Sequence, residues 1–135
     1  MAPTLYRIIL QVDDLDKAAQ FYGTLLSDPG RRIPRASRHY IDCGPVILAL
    51  VDVTGGGTVE TTPQPLPDYI YFSVSDIGSF HARAQELGCL SNEDVHGDSA
   101  ADVVKRPWGE LSFYATDPWG NGLCFVDENT LFTGK

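Results

Sequence analysis

Arg7 carries the most pointed chemistry in this chain. It lies inside the alternating run Tyr6–Val12, and a guanidinium on a strand needs an anionic partner, either a carboxylate of the protein or the carboxylate or phosphate of a ligand. Glu110, at the head of the alternating run Glu110–Thr116, could be that carboxylate, or could act as a general acid or base. Tyr69, Tyr71 and Tyr114 share the strand parity of these two charges. Each offers an aromatic wall with a hydroxyl tip. Trp108 is either a stacking surface for a planar ligand or an ordinary turn residue. Cys124 is either a buried thiol or a nucleophile, and the second role needs a base. His39 is the histidine whose strand setting would let it face the others, since His81 falls on a helix and His96 in a polar loop. The cysteines, Cys43, Cys89 and Cys124, are odd in number and lack metal-type spacing, which reads as free thiols in a reducing compartment.

The elements that must position these residues occur twice. Val12-Asp13-Asp14-Leu15 and Val74-Ser75-Asp76-Ile77 each follow a strand-like run and open a helical one, with Asp14 and Asp76 62 residues apart. Asp42-Cys43-Gly44-Pro45-Val46-Ile47-Leu48 loosely matches Asp117-Pro118-Trp119-Gly120-Asn121-Gly122-Leu123-Cys124. A period this long that spans the chain predicts two copies of one supersecondary unit. In each copy the pattern is strand, helix, then three strands, which is an α+β chain of two tandem βαβββ modules. Module 1 covers about residues 4–54, a Gly- and Pro-rich linker 55–67, and module 2 68–130, together one domain. Asp14 suits a helix N-cap, and Ala18, Phe21, Tyr22 and Leu25 form one apolar stripe. The segment 92–101 reads as polar loop. The strands split by parity: Ile8, Leu10 and Val12, and again Ile70, Phe72 and Val74, should lie under the helices. The opposite faces carry Arg7, Gln11, Tyr69, Tyr71, Ser73, Glu110, Ser112 and Tyr114. Two such sheets facing one another would enclose a cavity with Arg7 and Glu110 on its wall.

Composition removes several function classes. A net charge of −8 with no basic run argues against a nucleic-acid partner, which needs a positive stripe. No apolar run approaches the ~20 residues that span a bilayer, so no membrane partner is expected. The opening Met1-Ala2-Pro3-Thr4 has no signal-like character, which makes the cytoplasm the expected location. No Lys-Ser or Lys-Thr follows Gly55-Gly56-Gly57, so the glycines connect the halves and do not cradle phosphate.

Val12-Asp13-Asp14-Leu15 with Phe21-Tyr22, the stretch Tyr69 to Asp76, Pro107-Trp108-Gly109, Phe113-Tyr114 and the turn Asp117-Pro118-Trp119-Gly120-Asn121 together resemble the vicinal oxygen chelate superfamily. That superfamily holds glyoxalase I, extradiol dioxygenases, fosfomycin-resistance enzymes and bleomycin-resistance proteins. The resemblance implies tandem βαβββ modules curving into a mixed sheet around a cavity, and assembly as a homodimer. In metal-dependent members, His or Glu ligands come from four places in this pattern, which fall here on Arg7, Leu48, Tyr69 and Cys124. None is a histidine or a carboxylate. The resemblance is therefore to the metal-free, bleomycin-resistance-like branch, with no metal and no cofactor.

The function this implies is metal-independent binding of a small molecule, of the kind that sequesters antibiotics or aromatic metabolites. The alternative is a lyase, isomerase or dioxygenase of the same superfamily that uses acid–base residues or an atypical metal site. The expected ligand-binding set is Arg7, His39, Tyr69, Tyr71, Trp108, Glu110, Tyr114 and Cys124, with a planar, partly apolar ligand stacked near Trp108 and an anionic group on that ligand if Glu110 does not neutralise Arg7.

Overall fold

The computed structural model describes residues 1–135, which divide into two compact units, Met1–Pro65 and Leu66–Lys135. In the first unit β1 (Arg7–Val12) leads into α1 (Leu15–Leu25), followed by β2 (Arg31–Ile33), β3 (Arg38–Cys43) and β4 (Val46–Asp52). The sheet order is β1-β4-β3-β2, with β1 parallel to β4 and the other pairs antiparallel. The second unit repeats this plan. It runs β5 (Ile70–Val74), α2 (Ile77–Glu86), a two-residue hairpin of β6 (Asp94–Val95) and β7 (Asp98–Ser99), β8 (Val104–Lys105), β9 (Leu111–Thr116) and β10 (Gly122–Asp127). Its sheet order is β5-β10-β9-β8, again with the first strand parallel to the last. The repeat in sequence is thus a repeat in strand order. The addition is the β6–β7 hairpin, which forms inside the segment expected to be loop.

Local chemistry starts both helices in the same way. Asp14 lies in extended backbone and accepts from Lys17 N at 3.0 Å, and Asp76 accepts from Ser79 N at 3.3 Å. α2 stops at Gly88, whose φ of 67° a side chain would resist. Ala18, Phe21, Tyr22 and Leu25 of α1 are buried against β3 and β4, where Leu10, Val12, Ile41, Leu48 and Leu50 complete an aliphatic core. The second core is aromatic. Phe125 stacks on Phe72 and Phe113 at 5.0 and 5.1 Å, and Phe80 of α2 covers it at 5.5 Å. In both units the helix-facing parity is the one the alternation predicts.

The turn between β9 and β10 closes the second sheet. Asp117 Oδ1 accepts from Trp119 N and Asn121 N at 2.9 and 2.7 Å, and Asn121 Nδ2 donates to Asp117 Oδ2. Asn121, fully buried, also accepts from Leu66 N at 2.8 Å and so pins the chain where the second unit begins. No helix is long and apolar enough to cross a membrane.

Candidate ligand-binding site

The face of the first sheet opposite α1 presents Arg7, Ile9 and Gln11 from β1 and Arg38, Tyr40 and Asp42 from β3. Arg7 is exposed on it, as its parity requires. Its Nη1 donates to Tyr40 Oη at 3.1 Å and its Nη2 to Tyr6 Oη at 3.0 Å. Arg31 pairs with Asp42 in a two-pronged contact at 3.1 and 3.2 Å.

His39 points the other way, which corrects its assignment to the ligand-binding set. It lies opposite Leu50 in register and is buried beside Ile41 on the α1 side. With its proton on Nε2 the ring donates to Pro29 O at 2.8 Å, and Nδ1 accepts from Arg32 Nε at 3.3 Å. Alternation in β3 sets Arg38, Tyr40 and Asp42 against His39, Ile41 and Cys43 without saying which set faces inward. Ile41 and Gly30 decide it, the first by its apolar bulk and the second by leaving room beside the imidazole. Both ring nitrogens are engaged within the first unit, so His39 is not available as a base for Cys124.

The second unit holds a cleft of about 450 Å³ on the sheet face opposite α2, lined by Tyr71, Phe72, Ser73, Trp108, Glu110, Val126, Leu131 and Phe132. Tyr71 and Ser73 come from β5, Trp108 and Glu110 from the turn between β8 and β9, and Leu131 and Phe132 from the C-terminal tail. Trp108 Nε1 donates to Glu110 Oε1 at 2.8 Å, and Phe132 N donates to Glu110 Oε2 at 3.0 Å. One carboxylate thus fixes both the indole and the tail. Thr130 Oγ1 accepts from Leu111 N at 3.0 Å and holds the tail a second time. His96, at the tip of the β6–β7 hairpin, meets the Trp108 ring edge-on at 5.3 Å. Burial raises the Tyr71 phenol above its ordinary pKa, so it stays a neutral donor at physiological pH. Arg7 and Glu110 each find their partners inside their own unit.

Tyr114 and Cys124 share the sheet face of Tyr71 but not its access to solvent, being 2% and 1% exposed. They pack with Ala100 and Val126 under Val95 of the hairpin and under Tyr69. Neither lines the cleft. Tyr69 packs against Tyr114 with the rings tilted at 60° and centroids 4.9 Å apart, and opens onto a separate polar pocket of about 310 Å³, beside Ser91, Asn92 and Glu93. Strand parity reports the face of a sheet; the segment around 91–106 that comes to lie over that face is a matter of distant sequence.

Arg106 is the residue that sequence reasoning missed. It is 2% exposed, and its guanidinium lies 5.1 Å above the Tyr114 ring. Nε donates to Ser112 Oγ at 3.0 Å, Nη1 to Ser99 O at 3.3 Å, and Nη2 to Asp102 O and Ser112 O at 3.1 and 2.9 Å. Every acceptor is neutral. A buried cation is thus held by carbonyl dipoles and a ring face, and it ties the segment carrying the hairpin to β9. Its one sequence signal was its position beside Pro107-Trp108-Gly109.

Burial pushes the Cys124 thiol up to about 11, against hydrogen bonds from Tyr114 and Ser112 that would lower it. Burial, with help from Asp28 and Asp42, likewise puts the Cys43 thiol at about 11. Neither is a ready nucleophile near neutral pH. Iodoacetamide at pH 8 should therefore modify both far more slowly in the native protein than after unfolding. The folded state holds these protons where the unfolded chain has lost them, so stability should fall as pH rises from the ordinary thiol range toward about 11. Native thiols that react as fast as unfolded ones, followed by mass spectrometry, would contradict this.

The four family ligand positions do not fit a metal. Arg7 is a cation bound to phenols, Tyr69 a neutral phenol raised by burial, and Cys124 a protonated thiol. Leu48 is in the core: β1 and β4 pair Leu48 with Ile8, whereas β5 and β10 pair Cys124 with Tyr71. The position equivalent to Cys124 is therefore Ala49, opposite Ile9, and the offset of one residue puts Leu48 on the α1 side. Ala49 offers no donor either. No three His, Cys, Asp or Glu side chains come together as a metal site would require.

The architecture recurs in solved structures. Oxidase ChaP-H1 is 20% identical, with a TM-score of 0.73 over 99% of this chain and 100% of that one. Lactoylglutathione lyase from Agrobacterium tumefaciens is 21% identical, with a TM-score of 0.64 over 93% of this chain and 94% of that one. A glyoxalase/bleomycin resistance protein from Albidiferax ferrireducens T118 is 18% identical, with a TM-score of 0.64 over 91% and 97%. At these identities the likeness is one of fold. No curated protein matches the sequence. The sequence model of the Glyoxalase/Bleomycin resistance protein/Dioxygenase superfamily matches residues 4–125, and with both units built on its βαβββ plan the chain belongs to that superfamily.

Proposed function

We propose that this protein binds a small, planar, partly apolar molecule in the second-unit cleft, without a metal, as a sequestering or carrier protein does. The observation that carries the reading is the cleft lining: Tyr71, Trp108, Leu131 and Phe132 present aromatic and aliphatic surface, with Glu110 fixing the indole. Such a lining suits a flat ligand held by stacking and a few polar contacts. Glu110 is the one charged residue in the cleft, so the favoured ligand is neutral or cationic. This shifts the weight away from the anionic group that Arg7 suggested, because the cleft has no cation to meet one.

The fold alone leaves the class open, since its neighbours carry the names of a lyase, an oxidase and a resistance protein. An acid–base enzyme would work through Glu110 or Tyr71, and both Glu110 oxygens already accept hydrogen bonds.

With Trp119 replaced by Phe, Trp108 becomes the sole indole and reports on the cleft. Neutral and cationic aromatic compounds should change its emission, and Trp108→Ala should weaken their binding by about 30-fold, the effect of losing an aromatic anchor worth roughly 2 kcal/mol. Unchanged emission with every such compound, in a folded protein, rules the cleft out. We also propose a homodimer, because both four-stranded sheets end in edge strands that another copy could cover. Sedimentation at micromolar concentration should then give twice the mass of 14.8 kDa, and a monomer there would refute the dimer.

A further inference from the structure

The first unit carries a cluster that the cleft does not use. Arg7 Nη1 donates to Tyr40 Oη at 3.1 Å, and Arg38 Nη1 donates to the same oxygen at 3.0 Å. Two guanidinium groups thus converge on one phenol, no farther apart than those two bonds laid end to end. Neither has a carboxylate. The other acceptor of Arg7 is the Tyr6 phenol, while the ion pairs of this unit, Arg31–Asp42 and Arg32–Asp16, use other arginines. The acid on the same face, Asp42, is engaged by Arg31 and by neither of these two arginines. Like charges held together repel, and an anion between them would remove that cost.

The donors are also in supply. A guanidinium has five N–H groups in a planar fork, of which Arg7 spends two and Arg38 one on these contacts. That fork matches the paired oxygens of a carboxylate or phosphate. Beside it lies apolar surface. Ile9, two residues along β1 on the same face, is 44% exposed.

We propose that Arg7 and Arg38, bridged by Tyr40, form a binding site for an oxyanion, carboxylate or phosphate, carried on an apolar body. None of its residues lines the aromatic cleft, and it does not depend on the reading of that cleft. The Tyr40 phenol reports on the site. It is held below its ordinary pKa chiefly by the hydrogen bond from Arg38, with a further one from Arg7. A bound oxyanion would draw on the same N–H groups and return the phenol toward its ordinary value.

Calorimetric titration of the full chain with benzoate, phenyl phosphate and neutral benzamide tests this. At least one of the two anions should bind and benzamide should not; which anion binds tells a carboxylate from a phosphate ligand. Arg7→Ala and Arg38→Ala should each weaken that binding about tenfold or more, the scale for losing a charge-assisted hydrogen bond. Arg35→Ala, at an exposed arginine in the turn after β2, should leave it unchanged. Absence of binding by both anions, equal binding of benzamide, or indifference to Arg7 and Arg38 would each overturn the proposal. So would an Arg35→Ala loss as large as theirs, which would mean diffuse attraction only. If either arginine variant fails to fold, phenolate absorbance of the wild type against Tyr40→Phe decides instead. Added phenyl phosphate or benzoate should raise the Tyr40 pKa, and a pKa that stays put sinks the idea. These readouts do not involve Trp108, so failure of the cleft and failure of this site are separable.

Discussion

Replacing Arg106 with alanine should destabilise the protein by about 3–4 kcal/mol, the largest effect expected from any single side chain near the cleft. The substitution removes donors from Ser99 O, Asp102 O, Ser112 O and Ser112 Oγ, and leaves a void above Tyr114. Buried acceptors stripped of their donors cost about 1 kcal/mol or more each, and the void adds to that. The melting temperature should drop by roughly 10 °C. Arg106→Lys should recover only part of the loss, because a single ammonium cannot reach acceptors spread around a planar fork. The local effect should appear in fluorescence: with Ser99 and Asp102 no longer tied, the hairpin that sets His96 against Trp108 should loosen and the indole should become wetter. A change in stability under 1 kcal/mol, by chemical denaturation, would show that the carbonyl cage contributes little.

Gly30→Ala should cost about 3 kcal/mol or more, while Gly44→Ala, at a nearly identical backbone angle, should cost only about 1 kcal/mol. Gly30 and Gly44 have φ of 65° and 60°, so both pay for a side chain in left-handed backbone. The difference is space. A methyl on Gly30 would overlap Tyr40 O, with Ile41 Cγ1 at 2.8 Å and His39 Nε2 at 2.9 Å, whereas a methyl on Gly44 meets nothing within 4 Å. Two of those three obstacles are a backbone carbonyl and a core side chain, neither of which can swing aside. Equal losses in the two variants would mean that backbone strain alone accounts for both. The contrast matters for function because the Gly30 contact seats β2 against β3, the strand that places Arg38 and Tyr40.

Much of this protein is legible in its sequence, for reasons of short range. Asp14 and Asp76 cap their helices because a side-chain oxygen three residues ahead of a free amide needs no tertiary help. The repeat predicts one strand order used twice, since the same alternation and cap signals recur 62 residues apart. Parity places Arg7, Tyr71 and Ser73 on the faces opposite the helices, because a strand turns each successive side chain over. Trp108 and Glu110 could be named as neighbours in one site, being two residues apart on a tight turn.

What covers each face was not legible. Tyr114 and Cys124 have the parity of Tyr71 yet are buried, because Val95 and Ala100, distant in sequence, pack onto their end of the sheet. His39 turned inward because the hollow beside Gly30 and the bulk of Ile41 made that the better-packed choice, and an imidazole tolerates either side. Leu48 and Ala49 traded roles through a pairing register that a loose repeat match misses by one residue. Arg106 became the centre of a hydrogen-bonded cage only when the turns on either side of it folded the carbonyls of Ser99, Asp102 and Ser112 back onto its guanidinium. Caps, turns and alternation are set by neighbours within a few residues. Burial depends on which remote segment arrives, and that is a property of the packed chain.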